Sequence, residues 1–163
     1  MSKYVLERLQ ARFADQIEET HSKLGDDTAV LKRDRLVEVL TFLRDDPDLA
    51  FNLPIDLTVV DWYQKREPRF EVVYHLYSTS KKHRVRLKVR VEEDDAVVPS
   101  SWPVWPGFDW YEREAWDLYG VRFEGHPNPT RIMMWEGFQG HPLRKDFPIN
   151  RRQPLTTLLG EQK

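Results

Sequence analysis

The sequence predicts an α+β fold: a two-layer domain with helices packed on one face of a small, mostly antiparallel or mixed sheet, followed by an extended C-terminal strap rich in Pro and Gly. Three observations carry this expectation. Apolar residues recur at helical spacing in the first 45 positions, runs of β-branched and aromatic residues fill much of 55–91, and Pro and Gly become frequent after residue 98. The chain divides accordingly into an α+β core domain, 1–98, and a second part, 99–163, made of an aromatic helix and an extended segment that docks on a partner. At 163 residues and 19.5 kDa, the chain is long enough to bury one core.

Leu6, Leu9, Phe13 and Ile17 recur at offsets of three and four, so a helix is expected from about Lys3 to Leu24, with Gly25-Asp26-Asp27 as its stop and turn. A short strand follows at Thr28 to Leu31. Asp34 then caps a second helix in which Leu36, Val39, Leu40 and Leu43 line one side, and Asp45-Asp46-Pro47-Asp48 ends it. Three strands are expected at Ile55 to Trp62, Phe70 to Tyr77 and Arg84 to Val91. In the last of these, Val85, Leu87, Val89 and Val91 alternate with Arg84, Arg86, Lys88 and Arg90, which sorts apolar residues to one face and cations to the other. The strand before it is apolar on both faces and is expected at the centre of the sheet.

After Val98 the composition changes. Pro99 to Pro106 holds three prolines and two tryptophans, which excludes a helix interior and is costly to leave in water. Asp109 to Tyr119 is expected as a helix, with Asp109 as N-cap, Glu112 in the capping-box position and Gly120 as the stop. Arg113 and Asp117, four residues apart, can pair within it. Beyond Gly120 the chain is too rich in Pro and Gly for a core of its own. Yet Phe123, Ile132, Met133, Met134, Trp135, Phe138, Leu143 and Phe147 make it too apolar for a free tail.

The composition excludes several functions. The 25 Lys and Arg against 27 Asp and Glu give a net charge of −2, which removes general attraction to nucleic acid or anionic lipid. With no cysteine there is no disulfide, thiolate nucleophile or cysteinyl iron-sulfur cluster. A mean hydropathy of −0.67 and the absence of a long apolar run argue against a spanning helix, and Met1 to Gln10 lacks the apolar core of a secretory signal. Three local patterns suggest chemistry, each weakly. The basic strand face near aromatic residues has the ingredients of nucleic-acid contact, but Glu92-Glu93-Asp94-Asp95 follows at once and would repel phosphate. Glu114 and Asp117 could serve as the acid/base pair of a small hydrolase, without any nucleophile beside them. His126, His141 and Asp146 could serve as metal ligands, but they stand in Pro-Gly loops, where hydrogen bonding to loop backbone is the simpler role.

The run Glu112-Arg113-Glu114-Ala-Trp-Asp117-Leu-Tyr-Gly120, then His126-Pro127, Arg131-Ile132 and Gly140-His141-Pro142-Leu-Arg144-Lys145-Asp146-Phe-Pro148, resembles the signature of the C subunit of respiratory complex I, the proton-pumping NADH:quinone oxidoreductase. The likeness extends more loosely over the chain, since that family also has two N-terminal helices, a run like Tyr74 to Ser78 and a strand like Arg84 to Val89. Pro129 stands where a leucine is common, and Met133-Met134-Trp135 replaces a more variable stretch. The resemblance implies a cofactor-free subunit of the hydrophilic arm, bound to the large D subunit, which forms much of the quinone pocket, and to other arm subunits. Iron-sulfur clusters, FMN and quinone would belong to those partners, and the isolated chain would be non-catalytic. It implies a peripheral place on the cytoplasmic side of the bacterial cell membrane, with membrane association only through the complex and no nucleic-acid partner. Glu112, Arg113, Glu114, Asp117, Gly120, His126, Pro127, Arg131, His141, Pro142, Arg144, Lys145, Asp146 and Pro148 become structural and interface residues. Energy-converting hydrogenases and related dehydrogenases use a similar subunit, which leaves the electron donor open.

Overall fold

A computed structural model of the protein describes residues 4–153. Helix α1, Tyr4–Phe13, buries Val5, Leu6, Leu9 and Phe13 along one stripe. The helix expected to run from Lys3, itself outside the described residues, to Leu24 does not continue. A 3-10 turn at Ala14–Gln16 leads into strand β1, Ile17–Lys23, which forms a hairpin with β2, Asp26–Leu31. The two-residue turn between them is Leu24 and Gly25, with φ of 56° and 85°, the left-handed pair that suits the twist of a tight hairpin. Ile17 falls at a helical offset from Phe13 by coincidence, and it pairs with Leu31. The remainder of β1 is largely polar because it is an edge strand, and its charged residues discourage further pairing.

Helix α2, Leu36–Asp45, buries Leu36, Val39, Leu40 and Leu43 as the period requires. Asp34 does not cap it: the chain enters through a turn in which Leu36 N–H donates to the Arg33 carbonyl, and no side chain caps the start. Strands β3, Leu53–Asp61, β4, Phe70–Tyr77, and β5, Arg84–Val91, complete a five-stranded mixed sheet of order β1-β2-β5-β4-β3. Only β2 and β5 pair in parallel within it. The central strand is therefore β5, and β4 lies one place out, still paired on both edges.

Both helices share one hydrophobic cluster with the inner face of the sheet, including Leu57, Val72, Tyr74, Leu87 and Val89. The opposite face carries the cations of β5; Arg84 is exposed and lies over the Tyr77 ring at 5.1 Å, while the other three meet carboxylates. Lys88 reaches Glu71 at 3.1 Å, Arg90 reaches Glu71 and Glu19 at 3.5 and 3.2 Å, and Arg86 reaches Asp26 at 2.9 Å. Glu71 is buried at the middle of this network. Burial opposes its ionisation, yet Lys88 and Arg66 hold its carboxyl below the usual range. Three of the four cations on this face are thus neutralised by carboxylates of the chain itself.

The segment after Val98 continues the same core. Strand β6, Val97–Pro99, pairs in parallel with β7, Arg122–Glu124, and between them a 3-10 turn at Pro106–Phe108 runs into helix α3, Asp109–Tyr119. Val98, Trp105, Phe108, Ala115 and Phe123 all join the cluster. From Gly125 to Gln153 there is no helix or strand.

Candidate functional site: a strap clasped at two points

Helix α3 organises the strap around it. Asp109 is its first residue rather than its cap, because the preceding 3-10 turn feeds it directly and Asp109 N–H donates to the Pro106 carbonyl. Glu112 makes no capping box. Its side chain points inward, where one oxygen accepts from Ser100 Oγ at 2.6 Å and the other from Ser101 N–H at 2.6 Å and from Ser101 Oγ. Burial pushes this carboxyl up despite the three donors. His126 Nε2 lies 3.9 Å from Glu112, 3.1 Å from the Asp109 carboxylate and 3.3 Å from the Asp109 carbonyl. Because Asn128 N–H donates to His126 Nδ1, the proton of the neutral ring sits on Nε2, facing these acceptors.

The expected Arg113–Asp117 pair does not form. Arg113 donates to the carbonyls of Thr130 and Arg131, both at 3.1 Å. Asp117, fully buried, instead accepts the backbone N–H groups of Ile132, Met133 and Met134 at 2.8–3.1 Å on one oxygen and the Arg131 guanidinium on the other. Burial resists its ionisation, but those donors win and hold its carboxyl below the ordinary value. A helix of this length leaves its last carbonyls without intrahelical partners, and the strap supplies most of them. Gly120 N–H caps the Trp116 carbonyl, His141 Nδ1 meets Asp117 O at 2.9 Å, Leu143 N–H donates to Leu118 O at 3.0 Å, and Arg144 Nε donates to Tyr119 O at 2.6 Å. Arg131 and Arg144 also place two cations where the helix dipole is negative.

A second clasp holds the strap to the sheet. Arg69, buried just before β4, donates two bonds to Asp61 at the end of β3, both at 2.9 Å, and two to Asp146 of the strap at 2.7 and 3.1 Å. Glu93, after β5, lies 2.7 Å from Arg69 and 3.4 Å from Arg144. Asp61 also accepts Lys145 N–H at 2.8 Å. No sequence signal singles out Asp61, Arg69, Glu93, Ser100 or Ser101, because their partners stand up to 84 residues away.

The sequence-derived candidates therefore sort by position. Glu112 and His126 meet at one side of α3. Asp117, Gly120, Arg131, His141 and Arg144 meet at its C-terminal end, Arg113 grips the strap backbone, and Asp146 joins the second clasp. Lys145 contributes its backbone while its side chain stays exposed, and Pro127 and Pro148 are exposed with Pro142 half-buried. Glu114 is exposed and makes no ion pair among the described residues. Asp117 has its acceptor capacity filled, so the two form no hydrolytic pair. Among the described residues no cluster of His, Asp and Glu could hold a metal ion, and His126, His141 and Asp146 are separately engaged.

Fold and site together define a class: an α+β domain that clasps its own irregular C-terminal strap through buried ions, with no helix among the described residues long and apolar enough to cross a membrane. Residues 29–153 match the family model described as "Respiratory-chain NADH dehydrogenase, 30 Kd subunit". The chain belongs to this family, whose members include the C subunits of NADH-quinone oxidoreductase, complex I. It is 60% identical over 115 residues to the NADH-quinone oxidoreductase C subunit of Caulobacter sp. (strain K31), covering 71% of this chain and 53% of the relative. It is 48% identical over 153 residues to the C subunit of Roseiflexus sp. (strain RS-1), covering 94% and 87%. The chain thus spans about half the length of the Caulobacter relative. The trypsin-resistant fragment (1-134) of Nqo5 superposes with a TM-score of 0.66 at 30% identity, over 77% of this chain and 97% of that one. A chain of the membrane-bound sulfane sulfur reductase, an archaeal respiratory membrane complex, shares the fold with a TM-score of 0.74 at 24% identity, over 91% and 86%.

Proposed function

We propose that this chain is a cofactor-free, peripheral-arm subunit of a proton-pumping NADH:quinone oxidoreductase that binds the D subunit and supports electron transfer by holding its neighbours in place. The observation that carries this reading is the strap: its buried ions fix an extended segment in one register while Met133, Leu143 and Ile149 remain exposed. Iron-sulfur clusters, FMN and quinone belong to partner subunits in this reading. The chain sits on the cytoplasmic side of the membrane and reaches it only through the complex.

The reading is tested by co-expression with the D subunit followed by size-exclusion chromatography. Co-elution in a defined ratio is expected, and the purified chain alone is expected to show no NADH:quinone turnover. Elution of the two chains apart would overturn it.

A further inference from the structure

Charge is unevenly divided along this chain. Residues 1–124 carry 19 Lys and Arg against 24 Asp and Glu, whereas residues 125–153 carry five against two. The strap is therefore a cationic band on an anionic body. Part of its charge is consumed inward: Arg131 on Asp117, Arg144 on the Tyr119 carbonyl and Glu93, and Asp146 on Arg69.

The rest points away from the body. Lys145 and Arg152 are exposed, and their side chains make no hydrogen bond or ion pair among the described residues. Arg151, also exposed, has a long contact of 3.4 Å to Gln139 Oε1 and lies over the Phe147 ring at 5.9 Å, neither of which neutralises it. Exposed Leu143 and Ile149 alternate with these cations along the chain, and Ile149 is as open as in a free peptide, at 103%. Apart from Asp146, which Arg69 holds, Glu136 is the one carboxylate side chain within residues 125–153. Because the clasps already hold the strap backbone, little conformational freedom remains to be lost when something binds it.

We propose that the outer side of the strap is a docking surface for an acidic, amphipathic segment of a neighbouring protein subunit. Carboxylates of that segment meet Lys145, Arg151 and Arg152, and its apolar side chains cover Leu143 and Ile149. The inference rests on the proposed function and names the chemistry of the partner surface. Interleaved charge gives register and a fast, salt-sensitive encounter, and the apolar contacts give persistence.

The test compares wild type with K145E/R151E/R152E for binding to the purified D subunit between 0.1 and 0.5 M salt, the range over which screening of exposed charges becomes nearly complete. The triple variant is expected to bind at least about tenfold more weakly at the low-salt end, with wild-type affinity falling as salt rises. K145R/R151K/R152K retains binding, since charge rather than shape is at issue. Circular dichroism reports an unchanged fold, because none of the three side chains supports the interior. Equal binding of wild type and the charge-reversed variant overturns the proposal. So does a result in which the reversal abolishes binding only to anionic phospholipid vesicles, which would assign the cations to a membrane. If wild type fails to bind the D subunit at any salt, the proposed function falls first, and this surface falls with it.

Discussion

Glu112 and Asp117 lie on one helix, both buried, and their surroundings push them in opposite directions. Asp117 meets a guanidinium and three N–H groups, so its charged form is favoured despite burial. Glu112 meets two hydroxyls and one N–H, and there burial prevails and raises it. The signs follow by linkage. Asp117 contributes stability above its unfolded value of about 3.9, lost as pH falls through its lower folded value. Glu112 contributes stability below its unfolded value of about 4.3, lost as pH rises through its higher folded value. A Gln side chain at position 112 can still accept from Ser101 and can donate to Ser100, without a charge to desolvate. Glu112→Gln is therefore expected to remove the decline in melting temperature that this carboxyl causes in wild type as pH rises above its unfolded value. Melting temperatures of the two proteins that run parallel as pH rises would show that this carboxyl does not titrate differently on folding.

At the scale of elements, the strap acts as the C-terminal cap of α3, and Gly120 is where the two touch. Its φ of +82° disfavours any side chain, and a Cβ there would lie 2.7 Å from both Arg144 Nη2 and the His141 ring. Gly125 has nearly the same φ, +84°, with nothing within 4 Å of its Cβ position. Gly125→Ala is expected to cost about 1 kcal/mol from backbone strain alone. Gly120→Ala carries that plus displacement of the strap, about 2–3 kcal/mol in all. Urea unfolding of the two variants separates the terms, and equal costs would show that the strap does not bear on the helix end. The positions of α2 and β5 are legible in the sequence because their apolar residues recur at periods that one buried face enforces, whereas β4 shows as a run of β-branched and aromatic residues buried on both faces and α3 by the Gly120 stop at its end. Strand β1 is not legible, since a polar edge strand lacks alternation and Ile17 happens to extend the period of α1. Both N-caps mislead for a related reason: Asp34 and Asp109 have the right chemistry, but the chain enters each helix through a turn already hydrogen-bonded by backbone.

For the whole molecule, the decisive ion is Arg69, because it ties the end of β3, the start of β4, the turn after β5 and the strap into one network. The sequence points to one strap member of this group, Asp146, and leaves its partner hidden. Ion pairs across 77 residues leave no periodic trace, whereas the helix-end residues of the first clasp fall within a recognisable run. Replacing Arg69 by Met preserves apolar bulk but leaves Asp61, whose side chain is 0% exposed, without its counter-ion. Removing one partner of a buried pair costs about 3–5 kcal/mol, since the remaining charge stays desolvated. In a domain of this size that lowers the melting temperature by roughly 6–20 °C. Asp61→Asn in the same chain is expected to recover part of that loss, because it removes the stranded charge, while Asn Oδ1 can accept from only one of the Tyr63 and Lys145 N–H groups, which Asp61 takes on separate oxygens. The double variant does not restore the grip on Asp146. Trypsin is therefore expected to cleave after Arg144 or Lys145 faster than in wild type even where part of the thermal stability has returned. Full recovery of protease resistance with stability would mean that the first clasp holds the strap unaided, and that the Arg69–Asp146 link contributes nothing to its docking.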